Sequence, residues 1–483
     1  MIRYITQTAI RLLACALALG LSPAQAQSGA GIIAATEAFP VSPPASTPSE
    51  RFYLSVPENR EAPDAARVEL PVVVLKSKTP GDKAPIVMIT GGPGTAGLSA
   101  ARYPGAYPWV GKRDFVVFGQ RGTHYARPSL MCPGYRASMA EQADQEAKAA
   151  AIRQCAAELA EQGIDRSAYA TTASAHDLED LRKAIGAEQL SLYGLSYGTR
   201  LAIAYAREYP DRVASIVLDG PLPFAASYDT ELPANIEAVL RAIAQRCAAR
   251  PACEGAYPKL WHRFSQALAK QASSPPSEGS VSPSDVALYI VPGSKADIAQ
   301  APRLMDAFAR GNLAPFVGSD GSFTPSNFAW GMRLSVWCAE RESAKAISDA
   351  PFAGIDSPTF ADFACEAWDV PMRPTSELQD YSGDVPVLIL AGEYDAITPP
   401  AFGARLLSGL NHAELMAVPA GLHAITTNWG GTGCAMSLAA RFFEAPKAFL
   451  ADPERLGCLA SEPYPEFELG PIEPDTQPSG GAP

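Results

Sequence analysis

A Gly-x-Ser-x-Gly pentapeptide at residues 194–198 carries the strongest chemical signal in the chain. The apolar run 190–193 precedes it and a helical pattern, 199–206, follows it, which predicts that the serine lies on a tight turn from a strand into a helix. Glycines suit the flanking positions because side chains there would collide with the neighbouring strand and helix. A plain structural turn is the alternative interpretation. We predict that Ser196 is a nucleophile.

A serine hydroxyl needs a base within hydrogen-bonding reach and an acid that orients this base. On this kind of turn the acid and then the histidine follow the serine along the chain. Of the five histidines, His124 and His176 precede the serine and His262 lies in the predicted cap, which leaves His412 and His423. His423 is preferred because it comes directly after the last predicted strand. Asp395 follows the preceding predicted strand and is preferred over Glu393, with a helix-capping role as its alternative.

The negative oxygen that forms on a substrate requires hydrogen-bond donors that are already in position. One predicted donor is the backbone N–H of Tyr197, the residue after the serine. The second is assigned to Gly92 in the glycine-rich loop 90–94, with Gly91 as the near alternative. A phosphate-binding role for this loop is disfavoured because no Walker Lys-Ser/Thr pair accompanies it.

Short β-branched runs alternate with helical patterns, which predicts an α/β fold with a mostly parallel central sheet flanked by helices. Several of the runs are almost wholly apolar, as expected for strands that are buried on both faces. The candidate strands are Val68 to Leu75, Pro85 to Thr90, Asp114 to Phe118, Leu190 to Tyr193, Ser215 to Asp219, Val385 to Ala391 and Glu414 to Val418.

Helical patterns interrupt this alternation in the middle of the chain and predict a mainly helical cap inserted between two core strands. The expected organisation has three terminal segments outside the core, two at the N-terminus and one at the C-terminus. It is a signal peptide (1–26), a flexible leader (27–50), a first core part (51–222), the helical cap (223–384), a second core part (385–460) and a Pro/Gly-rich tail (461–483).

The first residues resemble a secretory signal, with arginines before an apolar run and a small-residue cleavage site that ends at Ala26. This predicts a periplasmic or extracellular protein. A lipoprotein attachment site at Cys15 is the alternative, although almost no apolar stretch precedes that cysteine. We expect no membrane span in the mature chain, because no later segment approaches the ~20 apolar residues that a span requires.

The charge of the chain limits the classes of molecule that it can bind. The net charge of −12 disfavours nucleic acid, because the chain has no basic run to neutralise phosphates.

Excluding Cys15 leaves eight of the nine cysteines, an even number that favours structural disulfides in an oxidising compartment. Sequence alone permits 105 connectivities. The simplest pairs Cys132 with Cys155, Cys247 with Cys253, Cys338 with Cys365, and Cys434 with Cys458.

Taken together, these motifs resemble the α/β-hydrolase serine peptidases related to prolyl aminopeptidase, and more closely the secreted tripeptidyl-aminopeptidase-like branch. The resemblance extends from about residue 50 to residue 460. The residues that carry it are Gly91-Gly92-Pro93-Gly94, Gln120-Arg121-Gly122-Thr123, the pentapeptide 194–198, Trp337-Cys338-Ala339-Glu340, Gly392-Glu393-Tyr394-Asp395 with Thr398-Pro399, Gly421-Leu422-His423, and the cysteines 434 and 458.

This resemblance implies release of short peptides or single residues from a free N-terminus, with cap carboxylates that hold the substrate ammonium. Glu340 is then the first candidate for this anchor and Glu366 the second, whereas a solvated glutamate is the ordinary alternative. Thr90 and Gly119 stand where the family usually has a histidine and an acidic residue, and His124 stands where glycine is common. These departures leave open what supports the glycine loop.

The leading hypothesis is an exported serine exopeptidase that acts on small peptides through an acyl-enzyme and requires no metal or organic cofactor. A carboxylesterase with the same triad is the alternative. A binding protein that keeps the fold without catalysis is a third hypothesis, which the complete triad disfavours. The sequence leaves the oligomeric state open.

Overall fold

The computed structural model describes residues 30–36, 39–62, 66–79, 81, 83–141, 143–273, 281–317, 326–341, 362–427 and 433–472. The predicted signal peptide, residues 1–26, therefore lies outside the described residues. No helix within these ranges is long and apolar enough to cross a membrane.

In the described part of the chain, one nine-stranded sheet forms the centre of the protein, in the order β1-β2-β3-β5-β4-β6-β7-β8-β9. The first three strands and β5 pair in antiparallel fashion, whereas β5, β4, β6, β7, β8 and β9 are parallel. The predicted fold class is confirmed. The strands are β1 (Gly31–Ala34), β2 (Ser49–Pro57), β3 (Arg67–Leu75), β4 (Ile86–Ile89), β5 (Phe115–Phe118), β6 (Leu190–Leu195), β7 (Val213–Asp219), β8 (Val387–Gly392) and β9 (Ala413–Val418).

The segment expected to be a flexible leader contributes to the sheet. β1 pairs with β2 at the edge of the sheet, and β2 begins before residue 51. Phe39 and Val41, which lie between these two strands, are 6% and 1% exposed. The expectation of a flexible leader across 27–50 therefore needs correction, because two apolar side chains fix this segment against the core.

Fourteen helices occur in the described part of the chain. One face of the sheet packs against α1 to α4 and α12, and the other against α13 and α14. They are α1 (Pro133–Ala140), α2 (Gln145–Glu161), α3 (Thr171–Ala184), α4 (Tyr197–Glu208), α5 (Tyr228–Ala248), α6 (Pro251–Ala256), α7 (Leu260–Ala272), α8 (Pro283–Ile290), α9 (Lys295–Ala309), α10 (Trp330–Glu340), α11 (Asp362–Trp368), α12 (Pro400–Leu407), α13 (Gly433–Glu444) and α14 (Pro446–Ala451).

The helical insertion between β7 and β8 has two parts. Helices α5 to α9 enclose an apolar core of their own, which also contains Tyr394, Ala420 and Leu422 from loops at the carboxyl edge of the sheet. Helices α10 and α11 instead join the main core beside the sheet. The insertion is thus seated directly on the loops that follow β8 and β9.

Part of the predicted tail packs against this insertion. Phe467 is 8% exposed within the core of α5 to α9, and Glu468 donates its N–H to the carbonyl of Ala299 in α9 at 2.9 Å. Tyr464 donates its hydroxyl to Glu393 at 2.7 Å. The aromatic residues among the prolines give this segment apolar area to bury, so residues 461–472 are not a free tail. Residues 473–483 lie outside the described residues.

Candidate active site

Ser196 lies at the junction of β6 and α4 with φ 54° and ψ −123°. A positive φ is uncommon for a residue with a side chain and indicates a constrained turn. Its N–H donates to the carbonyl of Asp219 at the end of β7, at 2.8 Å. A Cβ at Gly198 would approach the carbonyl oxygen of Ile89 to 2.0 Å, so glycine is required where the turn crosses β4.

The glycine loop packs directly against this serine. A Cβ at Gly91 would be 2.7 Å from Cβ of Ser196 and 3.2 Å from its Oγ, which shows how closely the two backbones approach. Gly92 has φ +112°, a conformation that favours glycine. Gln120 supports the start of the loop, since its Nε2 donates to the carbonyl of Thr90 at 2.8 Å.

Asp395 and His423 form a close pair at the same edge of the sheet, in the loops after β8 and β9. Oδ2 of Asp395 accepts a hydrogen bond from Nδ1 of His423 at 2.8 Å. The carboxylate also accepts the N–H groups of Ile397 and Thr398 at 2.8 and 2.9 Å and the Thr398 hydroxyl at 2.7 Å. Asp395 therefore orients the imidazole and also fixes the turn that leads into α12.

The electrostatics of this pair favour an ionised acid and a basic imidazole. Burial opposes ionisation of Asp395, but His423 and the donors of Thr398 outweigh it and hold the pKa of Asp395 below its usual value. Burial would lower the pKa of His423, yet the Asp395 carboxylate, with a smaller contribution from Asp219, raises it above its usual value. The side chain of His423 is 28% exposed and that of Asp395 is fully buried, so the imidazole is the member of the pair that meets solvent.

Asp219 supports the histidine loop and was not singled out from the sequence beyond its place at a strand end. Its carboxylate accepts the N–H groups of Ile425 and Thr426 at 2.9 and 2.8 Å, and the Thr426 hydroxyl as well. Burial raises the pKa of Asp219 to about 6. Because its backbone carbonyl also accepts the N–H of Ser196, Asp219 connects the serine turn to the loop of His423.

Tyr197 begins α4 with its side chain buried. Its hydroxyl lies 2.8 Å from the hydroxyl of Thr171, the first residue of α3. Burial raises the pKa of Tyr197 well above its usual value, so the phenol is neutral. Its backbone thus starts α4 next to Ser196 while its ring anchors the turn to α3.

Glu340 has structural partners that the sequence did not reveal. Its Oε1 accepts the backbone N–H of Thr171 at 2.7 Å and so caps the start of α3, and Oε2 lies 3.8 Å from Nη1 of Arg200. Burial raises the pKa of Glu340. The side chain is 1% exposed, so it has almost no contact with solvent. In the structure Glu340 joins α10 to α3, and the substrate-anchoring role stays a prediction.

The second predicted anchor, Glu366, is exposed on α11, which packs against α2 and α10. His124 is also exposed, with its ring 4.6 Å from that of Tyr125. His412, which we set aside in favour of His423, lies on the surface before β9.

Four disulfides occur in the described part of the chain, and they join the same cysteines as the simplest connectivity: Cys132–Cys155, Cys247–Cys253, Cys338–Cys365 and Cys434–Cys458. Such bonds are typical of proteins that mature outside the reducing cytosol. Cys338–Cys365 joins α10 to α11, so this pair of helices is fixed covalently beside the main core.

Two family models match the chain. One, described as the alpha/beta hydrolase fold, matches residues 84–245, and the other, described as TAP-like protein, matches residues 351–450. The first range contains Ser196 and the glycine loop, and the second contains Asp395 and His423. The chain is an α/β hydrolase with a TAP-like segment.

Curated relatives agree with this assignment. The tripeptidyl aminopeptidase of Streptomyces lividans is 25% identical over 432 residues, which cover 78% of this chain and 79% of the relative. The serine protease Hip1 of Mycobacterium tuberculosis is 32% identical over 200 residues. That match covers 37% of each chain, so it spans little more than a third of the length of Hip1. The chain is thus a serine hydrolase related to both proteins.

Proposed function

We propose that this α/β hydrolase is an exported serine exopeptidase that releases short peptides or single residues from a free N-terminus through an acyl-enzyme. Ser196 is the nucleophile, His423 the general base and Asp395 the acid that orients it. The backbone N–H groups of Tyr197 and Gly92 bind the oxyanion.

The observation that carries the proposal is the 2.8 Å contact between a fully buried carboxylate and a part-exposed imidazole at the sheet edge where the serine turn lies. An Asp395 carboxylate on Nδ1 leaves Nε2 as the proton acceptor of the neutral ring. The same carboxylate stabilises the imidazolium that forms when the proton arrives. No metal or organic cofactor enters this scheme.

In the first half of the reaction, Oγ of Ser196 attacks the scissile carbonyl and its proton passes to Nε2 of His423. The carbonyl oxygen becomes an oxyanion and accepts hydrogen bonds from Tyr197 and Gly92. His423 then donates the proton to the leaving amine, which departs from the acyl-enzyme. In the second half, water gives a proton to Nε2 of His423 and attacks the acyl carbon. His423 then returns this proton to Oγ of Ser196 as the ester bond breaks, which releases the carboxylic acid and restores the free enzyme.

Two observations support action on short peptides. The core of helices α5 to α9 includes Tyr394, Ala420 and Leu422, so the insertion covers the loops of Asp395 and His423 and restricts bulky substrates. The relative that aligns with 78% of the chain is named a tripeptidyl aminopeptidase. We extend that activity class to this chain as part of the proposal.

Export to the periplasm or the cell exterior, with cleavage of the signal after Ala26, belongs to the same proposal. The four disulfides support an oxidising destination. Mass spectrometry of the secreted or periplasmic protein tests it directly, since the mature chain should begin at Gln27 with all eight of these cysteines oxidised.

A matched set of peptide amides tests the activity. Each tripeptidyl and aminoacyl amide is assayed with a free and with an acetylated N-terminus, using the wild type and Ser196→Ala. We expect cleavage of free N-termini, loss on acetylation and no turnover by the variant. Equal cleavage of blocked peptides would contradict exopeptidase action, and turnover of simple esters with inert peptides would identify a carboxylesterase instead.

A further inference from the structure

Helix α10 of the insertion touches the glycine loop at two points. Arg333 donates from Nη1 to the carbonyl oxygen of Gly92 at 2.5 Å, and the N–H of Ala329 donates to the carbonyl of Gly94 at 3.0 Å. The loop that packs against Ser196 is therefore held on its other side by an element that begins more than 200 residues later in the chain.

The glycines in this loop make such external contacts important. Gly92 and Gly94 both have φ +112°, and a backbone of this kind has wide freedom because no Cβ restricts it. At Gly94 the fit to α10 is close, since a Cβ there would approach the carbonyl oxygen of Ala329 to 2.6 Å. A flexible backbone that must hold an oxyanion donor in place needs fixed partners.

The side chain of Arg333 is itself directed by its surroundings. Its guanidinium carbon lies 5.7 Å from the ring centre of Phe328 and 5.9 Å from that of Trp337. Cations favour such positions over aromatic rings. A charged donor to a carbonyl also makes a stronger hydrogen bond than a neutral one. The guanidinium is thus a directed partner for the Gly92 carbonyl.

We infer that Arg333 is a positioning residue that sets the oxyanion loop through the carbonyl of Gly92. This inference rests on the proposed function, because it assigns a purpose to the Gly92 N–H as a donor. The carbonyl and the N–H of Gly92 flank the same Cα, so fixing the carbonyl limits the rotations that would turn the N–H away from the substrate. The glycine loop, whose support was left open because Thr90 replaces the usual histidine, is held by Gln120 on one side and by the insertion on the other.

Arg333→Met and Arg333→Lys test this inference, with Arg310→Met as the matched control. Methionine keeps much of the length and apolar contact of arginine but removes the donor, whereas lysine keeps a charged donor. Arg310 also lies in the insertion, where its exposed side chain pairs with Asp306 of α9. Each protein is assayed with 4-nitrophenyl acetate and with the best peptide amide of the wild type, and its melting temperature is measured.

We expect Arg333→Met to lower kcat about 10- to 100-fold with KM changed less than about twofold, because small misplacement of a donor acts on the transition state. A trifluoromethyl ketone, whose adduct carries an oxyanion, should lose affinity for the variant by a similar factor. Arg333→Lys should recover part of both losses. Arg310→Met should match the wild type in all of them.

Several results would overturn the inference: an unchanged kcat in folded Arg333→Met, a rise in KM alone, or ketone affinity equal to that of the wild type. A loss of activity that follows the melting temperature across all three variants would assign Arg333 a purely structural role. If the wild type turns over neither ester nor amide, the proposed function itself fails, and this result is distinct from an active wild type with an unaffected variant.

Discussion

Asp395 and Glu340 are two buried carboxylates whose neighbours give them different roles. The side chain of Asp395 is 0% exposed and that of Glu340 is 1% exposed, and each accepts a hydrogen bond within 2.8 Å. Asp395, however, is bonded to an imidazole that is 28% exposed, whereas Glu340 is bonded to the backbone of Thr171 and faces the buried Arg200.

The two carboxylates therefore differ in the exposure of their partners: the imidazole beside Asp395 meets solvent, whereas Arg200 beside Glu340 is buried. Through His423, the charge of Asp395 can influence chemistry at the sheet edge. The charge of Glu340 is used inside the protein, at the start of α3 and between two helices. Its connection to the site is indirect, since Thr171 also contacts the Tyr197 hydroxyl.

Replacing Asp395 with asparagine should produce the largest effect on chemistry. Asn would keep the shape of the side chain but allow the wrong tautomer of His423, so kcat should fall by about 10⁴-fold. Steady-state kinetics with the melting temperature as control measure this. A fall of less than tenfold in a folded variant would mean that Asp395 does not orient the base.

Glu340→Ala should affect the stability of the protein more than its catalysis. It leaves the Thr171 N–H and the guanidinium of Arg200 without their carboxylate, so we expect the free energy of unfolding to drop by about 3 kcal/mol. The kcat per folded molecule should change less than about tenfold. Urea unfolding and active-site titration separate the two quantities. Unchanged stability together with a raised KM for free N-termini alone would support the predicted anchoring role of Glu340.

The pH profile should reveal the charge next to His423. The pKa of this imidazole is raised above the usual 6.5, so the ring stays protonated to a higher pH and activity appears later as pH rises. The acid limb of kcat/KM should therefore have its midpoint above 6.5. A midpoint at or below that value would contradict the coupling to Asp395.

Glu366→Gln should have the smallest effect. Glu366 is exposed and forms no ion pair with the described residues. Such a side chain usually contributes less than about 0.5 kcal/mol, and we expect both stability and KM to remain within error of the wild type. A selective increase in KM for peptides with free N-termini, with acetylated controls unaffected, would instead identify Glu366 on α11 as the anchor of the substrate.

Seven of the nine strands in the described part of the chain could be predicted from the sequence because they are short, largely apolar runs, six of them in the sheet interior and β9 at its edge. β1 and β2 were missed: the first lies in a stretch rich in Ala, Ser and Pro, and the second is polar at its start. The prediction of one helical cap over 223–384 was also too simple, since α10 and α11 pack in the main core. Packing partners, which periodicity does not reveal, decide such questions.

The contacts around the predicted site residues divide in the same way, into those that local sequence predicts and those that only tertiary packing reveals. Ser196, Asp395 and His423 each come just after a parallel strand, so their loops lie at one edge of the sheet. The local sequence is enough to predict this placement. The partner of Glu340 lies 169 residues away, and Asp219 meets a loop 206 residues away. Neither contact leaves a local pattern, so the support behind the site had to come from the tertiary structure.

The central claim is that Ser196 is activated by His423, which Asp395 orients. Labelling with a fluorophosphonate probe, followed by digestion and mass spectrometry, tests it most directly. The native wild type should carry the label on the peptide that contains Ser196, and His423→Ala, shown to be folded, should label at least a hundredfold more slowly. A label on another serine, or no label on the native protein, would contradict the claim.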